Sequence, residues 1–177
     1  MARMIANAEQ IAARLAELSG EVCRDHPNPD TLTLIGIQRR GVELAARIAD
    51  HIHVASSHQI ARGILDITFY RDDLSMVAQQ PIVHGTDIRI SLEDRDVVLV
   101  DDVIFTGRTI RAALDALVDF GRARTVRLLE LVDRGHRELP IQPDYVGWRV
   151  KTARGDTIRV KVQELDGEDL VELIERA

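Results

Sequence analysis

Apolar runs and helical repeats alternate along most of the chain, and in one stretch the two meet at a single turn. Residues 97–100 are four apolar β-formers in a row, which predicts a strand buried on both faces of a parallel sheet. Asp101 and Asp102 follow at once, and residues 106–109 then form a turn with a single glycine. Apolar residues recur at helical spacing from Ile110 to Val118. The stretch therefore predicts a strand, an acidic pair, a tight turn and a helix in direct succession.

The same alternation predicts the rest of the fold. Strands are predicted at residues 31–37, 63–70, 85–90, 97–100, 125–132, 145–150 and 158–162, and helices at residues 8–24, 42–49, 109–120 and 168–176. Residues 71–84 are polar and poor in helix formers, which is typical of a mobile lid or of a flexible hairpin tip. Neither a linker nor a repeat divides residues 1–177, so we expect one α/β domain with a mostly parallel sheet.

The turn after the acidic pair has the composition of an anion site. A helix N-terminus favours an anion because its first N–H groups are unpaired, and Gly107 lets the backbone approach closely. The hydroxyls of Thr106 and Thr109 can donate to phosphate, while Asp101 and Asp102 can hold ribose hydroxyls or a hydrated Mg²⁺. The pattern predicts a ligand with both a phosphate and a sugar. The alternative is an ordinary strand–helix junction with solvent-facing carboxylates.

Two further turns carry charged residues where a predicted strand ends. The turn at residues 38–41, Gln-Arg-Arg-Gly, suits a second anion such as pyrophosphate. Asp133 and Arg134 follow the strand predicted at residues 125–132. Ligands of doubly wound sheets bind beyond the carboxyl ends of the strands, so we expect all three turns to open on one cleft.

Composition excludes several classes of protein. The 177 residues are 45% hydrophobic, which excludes disorder. With 23 basic and 29 acidic residues the net charge is -6, so binding to nucleic acid would need a local basic patch. The single cysteine, Cys23, excludes a disulfide framework. No leader pattern or membrane-spanning run is visible, so we expect a cytoplasmic protein that does not bind membranes.

Two groups of residues resemble known families. The apolar run followed by Asp-Asp-x-x-x-Thr-Gly-Arg-Thr resembles the phosphoribosyl pyrophosphate (PRPP) signature of type I phosphoribosyltransferases. Residues 66–75 and 131–141 are similar to stretches specific to the PyrR family of bifunctional pyrimidine-operon attenuators and uracil phosphoribosyltransferases. The resemblance covers nearly the whole chain in order.

The resemblance implies a type I phosphoribosyltransferase fold with a central sheet, a small hood and a flexible loop. It implies transfer of the phosphoribosyl group of PRPP to uracil, giving UMP and pyrophosphate, with Mg²⁺ as cofactor. It further implies a homodimer or larger homo-oligomer, and transcription attenuation through binding of the pyrimidine operon leader mRNA in response to UMP or UTP.

The resemblance also implies roles for the donor-binding residues. Asp101 and Asp102 would hold the ribose hydroxyls, and together with Arg71 on the lid they are the candidate catalytic residues. The 5′-phosphate would lie at residues 106–109. The candidate PRPP-binding residues are Val97, Val98, Leu99, Val100, Asp101, Asp102, Val103, Ile104, Phe105, Thr106, Gly107, Arg108 and Thr109.

The remaining roles fall on the neighbouring turns. Arg40, Gly41 and Arg71 would bind pyrophosphate. Arg134 would lie near the base in the hood, and Asp133 near Mg²⁺, directly or through water.

RNA binding has the weakest support in the sequence, because positions of the first helix where the family commonly carries basic residues are Ala12, Ala13 and Glu17 here. The candidate RNA-binding residues are His136, Arg137, Arg149, Lys151 and Arg154. One alternative is therefore an enzyme only, with the RNA-binding role lost or weakened. Another is a phosphoribosyltransferase for a different base, such as a purine or orotate.

Overall fold

Two β-sheets, one parallel and one antiparallel, organise the computed structural model, which describes residues 2–68 and 85–176. The strands are β1 (Ala2–Asn7), β2 (Leu32–Ile37), β3 (Ala61–Leu65), β4 (Asp96–Ile104), β5 (Thr125–Asp133), β6 (Tyr145–Arg149), β7 (Thr157–Lys161) and β8 (Leu170–Ile174). The helices are α1 (Ala8–Asp25), α2 (Arg40–Ser56), α3 (Arg108–Leu117) and α4 (Gln163–Asp166), and a 3-10 turn, Val118–Phe120, continues α3.

The larger sheet has five parallel strands in the order β3-β2-β4-β5-β6. Its two faces are both covered. Val98 and Val100 of β4 pack in one apolar cluster with residues of α1 and α2, and Leu99 packs on the other face in a cluster with Ile110 of α3. The prediction of a mostly parallel sheet flanked by helices is therefore confirmed, and β4 lies at its centre, as expected for a continuous apolar strand. No helix of the described ranges is long and apolar enough to cross a lipid bilayer.

The smaller sheet is antiparallel with the order β1-β8-β7. We call this sheet, together with α4 between β7 and β8, the hood. The helix predicted over residues 168–176 is wrong, because residues 170–174 form strand β8. Val171 and Leu173 are buried and alternate with more exposed neighbours, which is the period of a strand. The strand at residues 2–7 was not predicted.

The strand predicted at residues 85–90 is also wrong. Those residues form only an isolated bridge, in which Asp87 pairs with Ile64 of β3. The whole predicted loop, residues 71–84 with Arg71, lies outside the described residues.

Candidate active site

The acidic pair lies within the central strand, where its environment is buried. β4 continues through Ile104, so Asp101 and Asp102 are strand residues rather than residues that follow a strand. Asp101 is 7% exposed, and its Oδ1 accepts a hydrogen bond of 2.9 Å from the backbone N–H of Asp102. Burial raises the pKa of both carboxyl groups, and the neighbouring charge of Asp102 raises that of Asp101 further. Ionising both carboxyl groups therefore costs free energy unless a ligand supplies hydrogen-bond donors or positive charge.

The structure adds a third carboxyl group that sequence reasoning missed. Glu130 of β5 pairs in register with Asp101, is fully buried, and neither of its carboxyl oxygens has a hydrogen-bond partner among the described residues. Burial, followed by the nearby charge of Asp101, raises the pKa of Glu130 well above its usual value. The available signal was a single acidic residue inside an otherwise apolar strand, residues 128–132.

The four apolar residues before the pair belong to the core. Val97, Val98, Leu99 and Val100 are 0% exposed, so their side chains support the site from within the sheet. Their assignment among the PRPP-binding residues stays a prediction.

The turn after β4 has the geometry of an anion site. Gly107 has φ 91°, which favours glycine, and α3 begins at the next residue without a side-chain cap. The carbonyl oxygen of Thr106 accepts hydrogen bonds from the N–H groups of Glu138 and Leu139, at 2.9 and 3.3 Å, which fixes the turn against the loop after β5. The N–H of Arg108 donates to Oγ1 of Thr106 at 3.4 Å, and the N-terminus of α3 that begins there is the kind of position that favours an anion.

The basic turn between β2 and α2 packs directly on β4. A Cβ atom at Gly41 would overlap the carbonyl oxygen of Val100 and lie 3.2 Å from the Cα of Asp101. A Cβ at Gly36 would lie 2.5 Å from the Cα of Val42. These two glycines therefore let the N-terminus of α2 sit beside the acidic pair, so the structure brings the second predicted turn next to Asp101.

The guanidinium of Arg40, at the first position of α2, is held by a carboxylate of the hood. Its Nε donates to Oδ2 of Asp166 at 3.0 Å, and its Nη2 donates to Oδ1 at 2.8 Å. The positive charge of Arg40 also lowers the pKa of Asp102, against the larger effect of burial. The Arg40 side chain therefore interacts both with the carboxylate of Asp166 in the hood and with the charge of Asp102 in the acidic pair.

A cavity of about 460 Å³ opens beside the loop after β5. Its lining residues are Asp133, Arg134, Gly135, His136, Arg149, Val150, Lys151 and Thr152. The Arg134 guanidinium lies 4.0 Å from the centre of the Phe105 ring, and its Nη2 donates to the carbonyl oxygen of Ala153 at 3.2 Å. Arg134 is 8% exposed, yet its buried Nε has no acceptor among the described residues. Arg134 thus lines the cavity and carries a buried Nε–H that lacks a partner among the described residues.

Asp133 is held by contacts within its own loop. Its Oδ1 accepts a hydrogen bond of 2.9 Å from the N–H of Gly135 and forms an ion pair of 2.8 Å with Nη2 of Arg137. The described residues contain no group of three or more His, Cys, Asp or Glu side chains able to hold a metal ion. A direct protein cage for Mg²⁺ is therefore not present in the described part of the chain.

The candidate RNA-binding residues fall into two groups. Arg137 donates to the carbonyl oxygens of Phe105 and Ile141, both at 2.9 Å, in addition to its ion pair. His136 contacts the carbonyl oxygen of Thr152 through Nε2 at 2.8 Å, and Arg154 pairs with Glu138. Arg149 and Lys151 are exposed and have no ion-pair partner among the described residues.

The parallel sheet, the acidic pair beside an uncapped helix N-terminus, and the basic turn packed against it are together the features of a phosphoribosyltransferase. The family model described as "Phosphoribosyl transferase domain" matches residues 1–164. A bifunctional protein PyrR from Deinococcus radiodurans is 48% identical over 171 residues, covering 97% of this chain and 93% of the relative. A second, from Acetivibrio thermocellus, is 50% identical and covers 94% and 91% of the two chains. The chain belongs to the PyrR family of phosphoribosyltransferases.

Solved structures support the same fold at lower sequence identity. A hypoxanthine phosphoribosyltransferase from Staphylococcus aureus has a TM-score of 0.72 at 19% identity, covering 98% of this chain and 92% of that one. The enzyme of the same name from Trypanosoma cruzi has a TM-score of 0.73 at 18% identity, covering 98% and 97%. At this identity the likeness concerns the fold alone, so the base must be inferred from the site.

Proposed function

We propose that the protein transfers the phosphoribosyl group of PRPP to uracil, and that it regulates pyrimidine genes by binding their leader mRNA when a uridine nucleotide is bound. The observation that carries the enzymatic part is the acidic pair of β4, which lies beside the N-terminus of α2 and precedes the glycine turn that begins α3. The relatives named bifunctional protein PyrR support both parts.

Each part of PRPP has a complementary group in this site. The 5′-phosphate binds the first N–H groups of α3 and the hydroxyls of residues 106 and 109, and the ribose hydroxyls donate to Asp101 and Asp102. The pyrophosphate lies at the N-terminus of α2, with Arg40 beside it. Arg71, which lies outside the described residues, completes the pyrophosphate site in this proposal.

Uracil occupies the cavity beside the loop after β5. Uracil has two carbonyl acceptors, and the Nε–H of Arg134 is a buried donor that lacks one. Because cation–π contact with Phe105 and hydrogen bonds to the 153–154 backbone hold the guanidinium, the donor is fixed before the base arrives. Satisfying that donor would favour a base with a carbonyl at this position.

The reaction needs orientation and charge stabilisation rather than a nucleophile from the protein. A bond forms between N1 of uracil and the anomeric carbon of ribose, the bond from that carbon to pyrophosphate oxygen breaks, and the N1 proton is released. The anomeric carbon gains positive charge on the way, which the carboxylates of Asp101 and Asp102 stabilise. Arg40 stabilises the charge that collects on the leaving pyrophosphate.

Mg²⁺ fits this site as a hydrated ion shared with PRPP. It prefers oxygen ligands and commonly keeps several waters, using one or two carboxylates together with substrate phosphates. The buried carboxyl groups of Asp101 and Glu130 and the carboxylate of Asp133, which pairs with Arg137, provide such oxygens near the predicted donor site. When bound, the ion would offset the charge of the pyrophosphate.

A panel of bases tests the enzymatic proposal. With PRPP and Mg²⁺, the protein is expected to form UMP from uracil at least about a hundredfold faster than it forms nucleotides from hypoxanthine, guanine or orotate. All four bases carry carbonyl groups, so this expectation rests on the similarity to proteins named bifunctional protein PyrR rather than on the Arg134 donor. Product formation is measured by chromatography of the nucleotides. Preferential use of a purine or of orotate would replace uracil in the proposal.

Binding of leader RNA tests the regulatory proposal. Arg149 and Lys151 are the exposed cations at the cavity rim, so we expect Arg149→Gln with Lys151→Gln to weaken binding about tenfold and to reduce the salt dependence by about two phosphate contacts. Gel retardation of a pyrimidine operon leader, with and without UMP, gives the affinity. Arg122→Gln is the matched control, because Arg122 is an exposed arginine before the N-terminal end of β5, whereas Arg149 lies at the C-terminal end of the parallel strand β6.

The outcome separates the proposal from an enzyme without RNA binding. That alternative is favoured by the net charge of -6 and by the internal contacts of His136, Arg137 and Arg154. If the wild-type protein with UMP does not retard the RNA at moderate salt, the enzyme-only alternative holds.

The proposal also includes assembly and location. The exposed Leu114 and Val118, one turn apart on α3 and its 3-10 continuation, support contact with a second copy in a homodimer or larger homo-oligomer. We place the protein in the cytoplasm, where PRPP and nascent transcripts occur.

A further inference from the structure

A turn of the hood is held against α2 by two arginines. Arg40 pairs with Asp166, and Arg47, two helical turns further along α2, pairs with Glu164 at 2.6 Å and with Asp169 at 2.8 Å. All three carboxylates belong to residues 164–169, in α4 and the turn that follows it. The two arginines differ in position, because only Arg40 lies at the N-terminus of α2 beside the acidic pair.

Asp166 is itself fixed by the backbone of the hood. Its Oδ2 accepts a hydrogen bond of 2.9 Å from the N–H of Val162 as well as the one from Nε of Arg40. Its own N–H donates to the carbonyl oxygen of Val162 at 2.8 Å. The Asp166 side chain is only 20% exposed. The carboxylate is therefore a stationary acceptor rather than a flexible surface group.

The geometry of the pair leaves part of the guanidinium available. Asp166 occupies the edge formed by Nε and Nη2, and Nη1 makes no hydrogen bond to a described residue. Arginine has five N–H donors in a rigid plane, so fixing one edge also fixes the direction of the others. Without this contact, ordering the long Arg40 side chain when an anion binds would cost conformational entropy.

We propose that Asp166 is a positioning residue, which holds the guanidinium of Arg40 so that its remaining N–H groups meet the pyrophosphate of PRPP. This inference rests on the proposed function. Asp166 acts through Arg40 and touches neither PRPP nor uracil. It makes α4, which lies between β7 and β8 of the hood, part of the pyrophosphate site.

The test compares Asp166→Asn with Glu164→Gln, which weakens the other contact between the hood and α2 and leaves Arg40 untouched. Losing a charge-assisted pair is expected to raise KM for PRPP about tenfold in Asp166→Asn. KM for uracil should stay within about twofold of wild type, because Arg40 does not contact the base. Glu164→Gln should leave both constants within about twofold. Calorimetry should show the same tenfold loss in the affinity for inorganic pyrophosphate.

Asp166→Glu serves as the second variant and should recover part of the lost affinity, since it keeps a carboxylate for Arg40. Equal KM values for PRPP in Asp166→Asn and Glu164→Gln would overturn the inference. So would a lower KM in Asp166→Asn, since it would mean that Asp166 competes with pyrophosphate for Arg40. If the wild-type protein forms no nucleotide, the proposed function fails, and pyrophosphate calorimetry still decides the role of Asp166. If wild type neither forms nucleotide nor binds pyrophosphate, both the proposed function and the role of Asp166 fail.

Discussion

Replacing both Asp101 and Asp102 with asparagine is expected to lower kcat/KM for UMP formation by at least about a thousandfold, which corresponds to about 4 kcal/mol of lost transition-state stabilisation. Asparagine keeps the size of aspartate but removes the negative charge that stabilises the positive charge developing at the anomeric carbon. Asp101 is buried in β4 and Asp102 is half-buried, and charges act more strongly there than in water. Initial rates at saturating uracil and varied PRPP give the effect.

The same variant is expected to fold at least as well as wild type at neutral pH. Burial raises the pKa of both carboxyl groups in the folded state. A carboxyl group with a raised folded pKa binds protons more tightly when folded, so stability falls as the pH rises from its unfolded pKa to its folded pKa. Asparagine removes that loss, so the thermal midpoint at pH 7 should not decrease.

Asp115→Asn, an exposed substitution on α3, is the control and should leave both activity and the thermal midpoint unchanged. Turnover within tenfold of wild type in the double variant would contradict the assignment of the pair. A large fall in the thermal midpoint would mean instead that the pair stabilises the fold.

Replacing Gly41 with alanine is expected to lower the free energy of unfolding by about 1–3 kcal/mol and to raise KM for PRPP at least about a hundredfold. The added methyl group would overlap the carbonyl oxygen of Val100, which belongs to the backbone of β4 and cannot move aside as a flexible side chain would. The N-terminus of α2 must therefore move away from the acidic pair. Urea unfolding and PRPP-dependent rates measure the two effects.

Gly20→Ala is the matched control for this substitution. Gly20 lies inside α1, and its nearest neighbour would be the Arg24 side chain at 3.8 Å, which is ordinary contact. Alanine is the better helix former, so this variant should be unchanged or more stable by about 0.5–1 kcal/mol. A wild-type KM for PRPP in Gly41→Ala would show that the close approach of α2 and β4 does not position the pyrophosphate site.

The centre of the fold was predictable because its signals are local. Four apolar residues, an acidic pair and a single glycine before a helical repeat define β4, its turn and α3 without reference to the rest of the chain. Strand β8 was not predictable in this way. Residues 168–176 are rich in Glu and Leu, which favour a helix locally, and pairing with β1 and β7 outweighs that preference.

The candidate site shows the same division. The turns at Gly107 and Arg40 follow from their glycines and from the change between strand and helix patterns, whereas Asp101 and Asp102, predicted after the strand, lie inside it. The neighbour of Arg40 does not follow from such patterns, because Asp166 lies 126 positions away along the chain. The role of Glu130 could not be predicted for a different reason. Its position beside Asp101 depends on the register between β4 and β5, which is seen only in the folded sheet.

The pairing of β1 with β8 has a consequence for how the protein is made. Ala2 of β1 pairs with Ile174 of the neighbouring strand β8. The first strand therefore has no partner until almost all of the described chain has left the ribosome. Every strand of the parallel sheet is complete by Arg149. Because contacts between distant positions form slowly, the hood should assemble last during synthesis, after the binding turns for phosphate and pyrophosphate already exist.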